Sequence, residues 1–517
     1  MRIIDFFDKG AALYPENIAF VDAAGQFSYR EASRQTHSIA SALHSNGFGK
    51  GSHVGILAPN SSITFVVLLG VYRAAAVWLP INPRNPAAVN ADFMDRFDGK
   101  LLLYHSAYAA QAREIVAKVP TIRLAVCIDA SSDFGASLPG WMREADDSFP
   151  SVDHSMEEVL SIFPTGGTTG PSKGVVISHR NIATSFANFY AHFNYHDNTR
   201  HLVVAPMTHS AGVLGCLHFA RGGTNVIMAT VDPGGILRAI QEQAITHLFV
   251  PPTLLYMMLV HPDVALYDYS SLQHFLIGAA PTSLEKLKQA VEVFGPVMSE
   301  AYGQSEAPSI ITAKAPWDYL DDNGAVIESR LKSIGRPAVF NQVAIMGDED
   351  EVIGAGEAGE IVIRGDLVTP GYYKNPSASA EVRKGGWHYT GDIGVMDEEG
   401  FVTIVDRKKD MIITGGFNVF PNEIEQLLCT HSAVQDCAVI GIPDEKWGER
   451  VLGVVQLKPK AQCQETELLN MIRQRLGSVK APKNIEFRRD LPRSPNGKVL
   501  KTELRKAYWE GQSRGVS

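Results

Sequence analysis

Cysteine is scarce. Five occur in 517 residues, at Cys127, Cys216, Cys429, Cys437 and Cys463, with no CxxC spacing. That scarcity excludes a disulfide framework and a cysteine-rich zinc site, and it fits a reducing, cytoplasmic setting. Long uncharged apolar runs are also missing. The most hydrophobic stretch, Ile63 to Ile81, carries Arg73 in its middle and ends through Pro80. It reads as a buried helix followed by a strand, and no integral membrane segment is expected. Positive charge is not in excess. The net charge of −9 sets aside general nucleic-acid binding. The opening "MRIIDFFDKG" places acids too early for a secretory signal. Internal repeats and low-complexity linkers are absent.

A common phosphate-loop signature is missing as well. A Walker A loop needs GxxxxGK[ST]. Counting from Gly166, the sixth position is Pro171, and Lys173 does not follow a glycine. The Gly-Lys pairs that start at Gly49, Gly99 and Gly497 lack the following Ser or Thr. Ser210 does not stand in a GxSxG elbow, and adjacent side chains rarely point at each other, so His209 and Ser210 are not read as a hydrolase pair.

What is present is a long alternation of strand and helix patterns. "HVGILAP" (53–59) reads as a buried strand, the segment from Ser61 as a helix, and "VWLPI" as the next strand. "THLFVPP" followed by "TLLYMMLV" repeats the scheme, as does "HFLIGAAP" before "TSLEKLKQAVEVF", where Thr282 or Ser283 is the expected helix cap. Such alternation predicts parallel sheets layered with helices. After about Ser333 the pattern becomes short strands separated by glycines and acids, "NQVAIMG", "GEIVIRG" and "FVTIVDR", which predicts a small antiparallel or barrel unit. "GGFNVFPNEIEQLL" then opens a further helix, with Asn422 near its cap and Glu423 and Glu425 in its first turn.

The chain is therefore read as an α/β protein. A large N-terminal domain, 1–405, has two βα-layered sheets and a small β-barrel, and a smaller, mobile α+β domain spans 406–517, joined at a short hinge near Asp406–Asp410. The C-terminal part holds 19 Lys+Arg against 14 Asp+Glu, whereas the other 405 residues hold 28 against 42. A basic lobe on an acidic body suits an anionic ligand.

The chemically densest segment is "FPTGGTTGPSKGVVIS" (163–178). Gly166 and Gly167 allow backbone N–H groups to converge on an anion. Thr165, Thr168 and Thr169 offer hydroxyl donors, and Lys173 offers positive charge. This is a phosphate cradle of an uncommon type.

"TGGTTGPSKG" resembles the phosphate loop of the adenylate-forming superfamily: acyl-CoA synthetases, adenylation domains of nonribosomal peptide synthetases and beetle luciferases. Further similar segments follow in the same order: "PMTHSAG" (206–212), "GAAP" (278–281), "EAYGQSEA" (300–307), "GEIVIRG" (359–365), "YTGDIG" (389–394), "DRKKDMIITGGFNVFPNEIE" (406–425) and "PRSPNGKVLK" (492–501). The loop departs from many members in having Gly166 in place of serine and Pro-Ser-Lys in place of x-Pro-Lys.

The resemblance implies ATP, Mg²⁺ and CoA as ligands and a small-molecule carboxylic acid as substrate. It implies that the loop holds phosphates and that Gly278, Ala279, Ala280 and Pro281 line adenine and floor the acyl pocket. In the segment Glu300, Ala301, Tyr302, Gly303, Ser305 and Glu306, Tyr302 would stack on adenine, Ser305 touch the α-phosphate and Glu306 hold Mg²⁺, a hard cation suited to carboxylate oxygen. Asp392 and Arg407 would take the ribose, and His209 would gate the acid. Lys498 would stabilise charge as the carboxylate attacks phosphorus, while Lys501 and Lys506 are expected to be solvated. Lys409 would be the pivot of the C-terminal lobe, and Gly415, Gly416 and Trp447 would line a tunnel for the pantetheine arm.

The implied activity is that of an acyl-CoA synthetase. A carrier-protein loading enzyme is the nearest alternative and a non-turning-over nucleotide sensor a more distant one. Trp447 and the lack of an attached carrier domain favour CoA as acceptor. Expected pocket walls, Phe186, Phe189, His209, Ala211, Phe249, Gly278 and Ala279, suit a fatty or aryl acid. A monomer and a homodimer are both compatible with the sequence.

Overall fold

The segment around Arg73 shows how the large unit is assembled. Ser61 caps the helix Ser62–Arg73, its hydroxyl accepting from Thr64 N–H at 3.3 Å. Strand His53–Leu57 precedes the helix and strand Val77–Pro80 follows it, paired in parallel. The helix has twelve residues, all but one of them buried. Arg73 is itself buried. Its guanidinium pairs with Asp8 and donates to Thr36 Oγ1 at 3.0 Å. The apolar run is thus core, and no helix among the described residues is long and apolar enough to cross a membrane.

The computed structural model describes residues 1–143, 149, 152–153, 155–165, 172–193, 195, 197, 199–321, 323–493 and 499–510. The chain forms two compact units. The first comprises 1–166, 172–342 and 363–388, the second 167–171, 343–362 and 389–517.

The first unit holds two large sheets. One has eight strands in the order Gly371–Tyr372, Gly174–Ser178, Val159–Pro164, Val77–Pro80, His53–Leu57, Leu101–Tyr104, Leu124–Cys127 and Ala136–Ser137. Its interior is parallel, and Val159–Pro164 with Gly174–Ser178 forms an antiparallel hairpin. The other has nine strands: Arg336–Pro337, Ala307–Lys314, Met298–Gln304, His274–Gly278, His247–Val250, Arg200–Val203, Thr224–Ile227, Ile18–Asp22 and Gly25–Ser28. It is parallel from Met298–Gln304 to Ile18–Asp22, with antiparallel edges. This is the layered α/β architecture that the alternating pattern predicts.

Strands Gln342–Met346, Ala358–Arg364, Trp387–Met396 and Val402–Arg407 belong to a third, half-barrel sheet. A fourth sheet is built on the hairpin Val434–Asp444 and Gly448–Leu457, flanked by helices Pro421–Cys429 and Glu465–Lys480. These helices pack Ile424, Leu428, Leu468 and Ile472 against the sheet.

One cap expectation is corrected. Ser283 occupies the N-cap of Leu284–Phe294, but neither it nor Thr282 caps through its side chain; instead Ser283 N–H donates to the Tyr256 hydroxyl at 2.7 Å. Helix Pro421–Cys429 has Phe420 at its N-cap without a side-chain bond, and Asn422 lies near that cap as expected. Proline at the first position has no N–H to satisfy, so this start needs less capping. Of the two glutamates, only Glu423 falls in the first turn.

Three histidines sit at matched positions on adjacent parallel strands: His201 opposite His247, and His247 opposite His274. His218 packs 5.0 Å from His201 and 5.2 Å from His247, and Tyr195 covers His218, His247 and His274. Burial holds His201 down at about 4, against the opposing hydrogen bond to Asn225, and burial with its histidine neighbours holds His218 well below its ordinary value. Between about 4 and 6.5 the unfolded chain binds a proton that folded His201 refuses, so stability falls as pH falls. Going from pH 7 to pH 5 should remove about 2 kcal/mol through His201. Urea midpoints at the two pH values check this. His201→Gln should reduce the difference, and an unchanged difference would show that His201 does not carry it.

Candidate active site

The hairpin Val159–Pro164 and Gly174–Ser178 positions the ends of the glycine–threonine loop. Pro164 lies opposite Gly174. Beyond it, Thr165 N–H donates to the Lys173 carbonyl at 2.8 Å, Lys173 N–H to Thr165 Oγ1 at 3.1 Å, and Ser172 Oγ to the Thr165 carbonyl at 2.7 Å. Thr165 and Lys173 are thereby locked across the base of the loop. Gly166, Gly167, Thr168 and Thr169 lie outside the described residues.

The strand Gly371–Tyr372 pairs along this hairpin, with Tyr372 opposite Val175. Lys173 Nζ stands 4.9 Å from the centre of the Tyr372 ring, and the Tyr372 hydroxyl donates to Glu306 Oε1 at 2.7 Å. Burial and the Glu306 carboxylate push the Tyr372 phenol well above its usual range, so it stays protonated as a donor. Nothing in the local sequence marks Tyr372. It is 66 residues from Glu306, and only sheet pairing brings the two together.

Sheet register assembles the next group. Gly278 lies opposite Ala301 on parallel strands, which sets "GAAP" beside "EAYG". The strand His274–Gly278 is buried up to Ile277, and Ala279, Ala280 and Pro281 then emerge exposed. A β-carbon on Gly278 would come within 2.8 Å of the Ala301 carbonyl oxygen. Ala279 has φ 70°, a left-handed conformation that costs an L-residue roughly 1–2 kcal/mol and turns the chain sharply off the sheet.

Gly303 is crowded against the backbone of Ser309, where a β-carbon would approach to 2.6 Å. Gly303→Ala is therefore expected to destabilise the first unit by about 1–3 kcal/mol. Thermal unfolding of the full chain measures it.

The remaining residues of this group have specific partners. The Glu300 carboxylate is bound by Lys314 Nζ at 2.5 Å and the Tyr319 hydroxyl at 2.9 Å. That carboxylate is committed to the fold. Gln304 Nε2 lies 3.0 Å from His388 Nε2. Burial, with Arg383 nearby, holds His388 near 4, so its imidazole is neutral at pH 7. Tyr302 and Ser305 are half-buried.

His209 is the N-cap residue of Ser210–Leu217, with Nδ1 3.0 Å from Thr208 Oγ1. Burial, with the Arg84 charge adding to it, holds His209 below its ordinary value. The preceding segment is clamped by Asn60, which donates to the Ala205 carbonyl at 2.9 Å and accepts from Met207 N–H at 2.9 Å. Among the expected pocket walls, Phe186 and Phe189 pack into the core against Phe6 and Phe193. Phe249 lies beside Gly278, 3.5 Å from where a β-carbon would stand.

In the second unit, Asp392 and Arg407 are opposite each other on paired antiparallel strands, with Arg407 Nε 3.0 Å from Asp392 Oδ1. Asp392 is 5% exposed and Arg407 50%, so the pair presents its guanidinium outward. Glu360 braces the approach, accepting from Gly391 N–H and Lys408 Nζ, each at 2.9 Å. Lys409 follows in the turn Lys408–Asp410. Burial lowers its pKa, with Arg407 adding to the effect.

Gly415 and Trp447 are in contact. Gly415 N–H donates to the Trp447 carbonyl at 2.9 Å, and a β-carbon on Gly415 would strike the indole at 2.6 Å. Gly415 and Gly416 both have positive φ, 57° and 82°. Trp447 stands at a hairpin tip, held because Asp444 Oδ1 accepts its N–H at 3.0 Å, and Lys446 lies 4.6 Å over its ring.

Lys498 lies outside the described residues. The base of its segment is defined, with a bridge between Arg493 and Val499 and a bond from Leu500 N–H to the Pro492 carbonyl. The expectation of a solvated Lys501 is corrected. Its side chain is 16% exposed and bonds Glu425 at 2.8 Å. Burial presses its ammonium down, but Glu425, Asp406 and Asp410 outweigh that and hold it above its ordinary value. Arg505 pairs with Asp410 at 2.7 Å in the same cluster. Lys506 is 69% exposed, as expected.

Comparison with known proteins gives a consistent set. A family model described as AMP-binding enzyme matches residues 7–373, and one described as AMP-binding enzyme C-terminal domain matches 423–498. The chain is 36% identical to a medium/long-chain-fatty-acid–CoA ligase, FadD8, of Mycobacterium tuberculosis, over 92% of this chain and 84% of that protein. It is 32% identical to a feruloyl-CoA synthase of Amycolatopsis sp, over 97% and 98%. Its fold matches ATP-bound MatB from Rhodopseudomonas palustris with a TM-score of 0.87, at 27% identity over 98% of this chain and 99% of that one.

Proposed function

The chain belongs to the AMP-binding enzyme family and is an ATP-dependent acyl-CoA synthetase, an AMP-forming acid–thiol ligase, and on that premise we propose that its acid has an apolar tail, fatty or aryl. The observation that carries this is the pair of relatives, one named for medium- and long-chain fatty acids and one for ferulic acid, each aligned over more than nine-tenths of this chain. The expected wall residues agree, since Phe249, Ala211 and Gly278 bring no charge.

In the proposed reaction a carboxylate oxygen attacks the α-phosphorus of ATP. Pyrophosphate leaves and an acyl-adenylate remains. The CoA thiol then attacks the acyl carbonyl, AMP departs and the thioester is formed. Thr165 and Lys173, with Gly166, Gly167, Thr168 and Thr169, hold phosphate oxygens. Gly278 to Pro281 and Glu300 to Gly303 form the adenine wall through their backbone, with Tyr302 stacking. Ser305 contacts the α-phosphate, and Asp392 and Arg407 hold the ribose. His209, neutral at pH 7, stands by the acid without adding charge.

The donor set suits Mg²⁺. Glu306 presents a carboxylate oriented through Oε1 by Tyr372, and hard oxygen is what that ion prefers. When bound, the ion would offset triphosphate charge.

The functional division is placed at 405/406. Lys409 is the pivot, the lobe 406–517 delivers Lys498 for the first half-reaction, and Gly415, Gly416 and Trp447 form the CoA-side wall for the second. Such alternation is a known kind of domain switching. The setting is cytoplasmic.

Incubating the protein with ATP, CoA and a panel of carboxylic acids tests this. AMP and the thioester should appear together with medium-chain or aryl acids. Release of ADP, or AMP formation only with charged or amino acids, would overturn the reading.

A further inference from the structure

Two cysteines that take no part in the proposed chemistry meet in the second unit. Cys429, the last residue of helix Pro421–Cys429, has its Sγ 3.7 Å from Sγ of Cys437 on strand Val434–Asp444. Their burial differs. Cys429 is exposed, while Cys437 is 6% exposed and faces the core of its sheet. We propose that Cys429 and Cys437 form a reversible dithiol–disulfide pair in which the exposed Cys429 reacts with a peroxide and the buried Cys437 resolves it.

The geometry supplies both requirements. An oxidant from solvent meets the outer sulfur first, and the inner sulfur stands within the distance from which a small side-chain movement closes an S–S bond. The hydrogen bond between the two sulfurs favours the Cys429 thiolate over the opposing effects of its burial, Asp436 and Glu425. The same bond, with burial, keeps the Cys437 proton in place until it is needed.

The chemistry balances with hydrogen peroxide as the oxidant. The Cys429 thiolate attacks one peroxide oxygen, the O–O bond breaks, and the departing hydroxide is protonated to water, leaving a sulfenic acid. Cys437 sulfur then displaces that hydroxyl. The S–S bond forms, and the hydroxide leaves with the Cys437 thiol proton as a second water. The two sulfurs lose two electrons and the peroxide gains them. The bond would tie the end of helix Pro421–Cys429 to the sheet. The Glu425 carbonyl on that helix already accepts from Cys437 Sγ at 3.5 Å, and the Glu425 carboxylate is the partner of Lys501.

The experiment exposes the full-length protein to hydrogen peroxide, alkylates the remaining thiols and maps the products by peptide mass spectrometry. A Cys429–Cys437 crosslinked peptide, short of two hydrogens and restored by dithiothreitol, is expected. In Cys437→Ser a dimedone-reactive sulfenic acid should accumulate at Cys429. In Cys429→Ser, a change at an exposed position, Cys437 should remain alkylatable after unfolding. A wild-type protein whose two cysteines are both still alkylated after peroxide overturns the proposal. So does a Cys429→Ser protein in which Cys437 is oxidised as fast as Cys429 is in the wild type.

Discussion

Lys498→Ala is expected to lower acid-dependent exchange of pyrophosphate into ATP by roughly 10²–10³-fold, the usual loss when one donor to a developing oxyanion is removed. The physical reason is timing. Negative charge on the α-phosphate and carboxylate oxygens rises only as the oxygen attacks, so a lysine brought in at that moment binds the transition state better than the ground state. The second half-reaction does not build that charge. Thioester formation from supplied acyl-adenylate and CoA should therefore be close to wild type. Measuring both rates on the same preparation separates a catalytic loss from a folding loss. Normal exchange in the variant would remove Lys498 from the first half-reaction.

Lys314→Ala is expected to lower stability by about 3–5 kcal/mol, the range for breaking one side of a buried ion pair. Lys314 is fully buried. Its ammonium bonds Glu300 and donates to the carbonyls of Arg330 at 2.9 Å and Ser333 at 2.8 Å. Removing it strands the Glu300 carboxylate, 14% exposed, with Tyr319 as its remaining side-chain donor among the described residues, and frees three carbonyls inside the fold, those of Arg330, Leu331 and Ser333. The double variant Lys314→Met with Glu300→Gln keeps the volume and removes both charges, so it should recover much of the loss. Urea unfolding followed by the transition of the first unit measures both. A single-variant loss below about 1 kcal/mol would mean the pair is screened as a surface bridge is.

These two lysines mark where the sequence is legible and where it is not. The role expected of Lys498 comes from a motif whose residues are neighbours in the chain. The parallel strands are readable for a similar reason. "HVGILAP" and "HFLIGAAP" are short apolar runs bounded by helix-forming segments, and local pattern settles them. The partners of Lys314 and Lys501 are not readable. Lys501 sits in a basic tail, and its partner Glu425 is far back in the chain, so nothing local distinguishes it from the exposed Lys506. The Glu300 carboxylate likewise has its partner on the next strand, reached through an antiparallel register in which Glu300 faces Lys314. Tyr372 meets Glu306 only because a two-residue strand joins the edge of the eight-stranded sheet. The side-chain cap expected of Thr282 or Ser283 does not form for the opposite reason. Residue type is permissive at a cap, and the backbone decides whether the side chain is used.

The rung that joins Gly278 to Ala301 has a consequence for how this protein can change its substrate. Backbone fills the space beside Gly278 and beside Gly303, so neither position can be tailored by adding atoms. On the proposed placement of the acid, variation has to enter from neighbouring elements, and Phe249 is the adjustable side chain beside Gly278. Directed libraries aimed at new acids should therefore randomise Phe249 and the helix Ser210–Leu217 and leave the two glycines untouched.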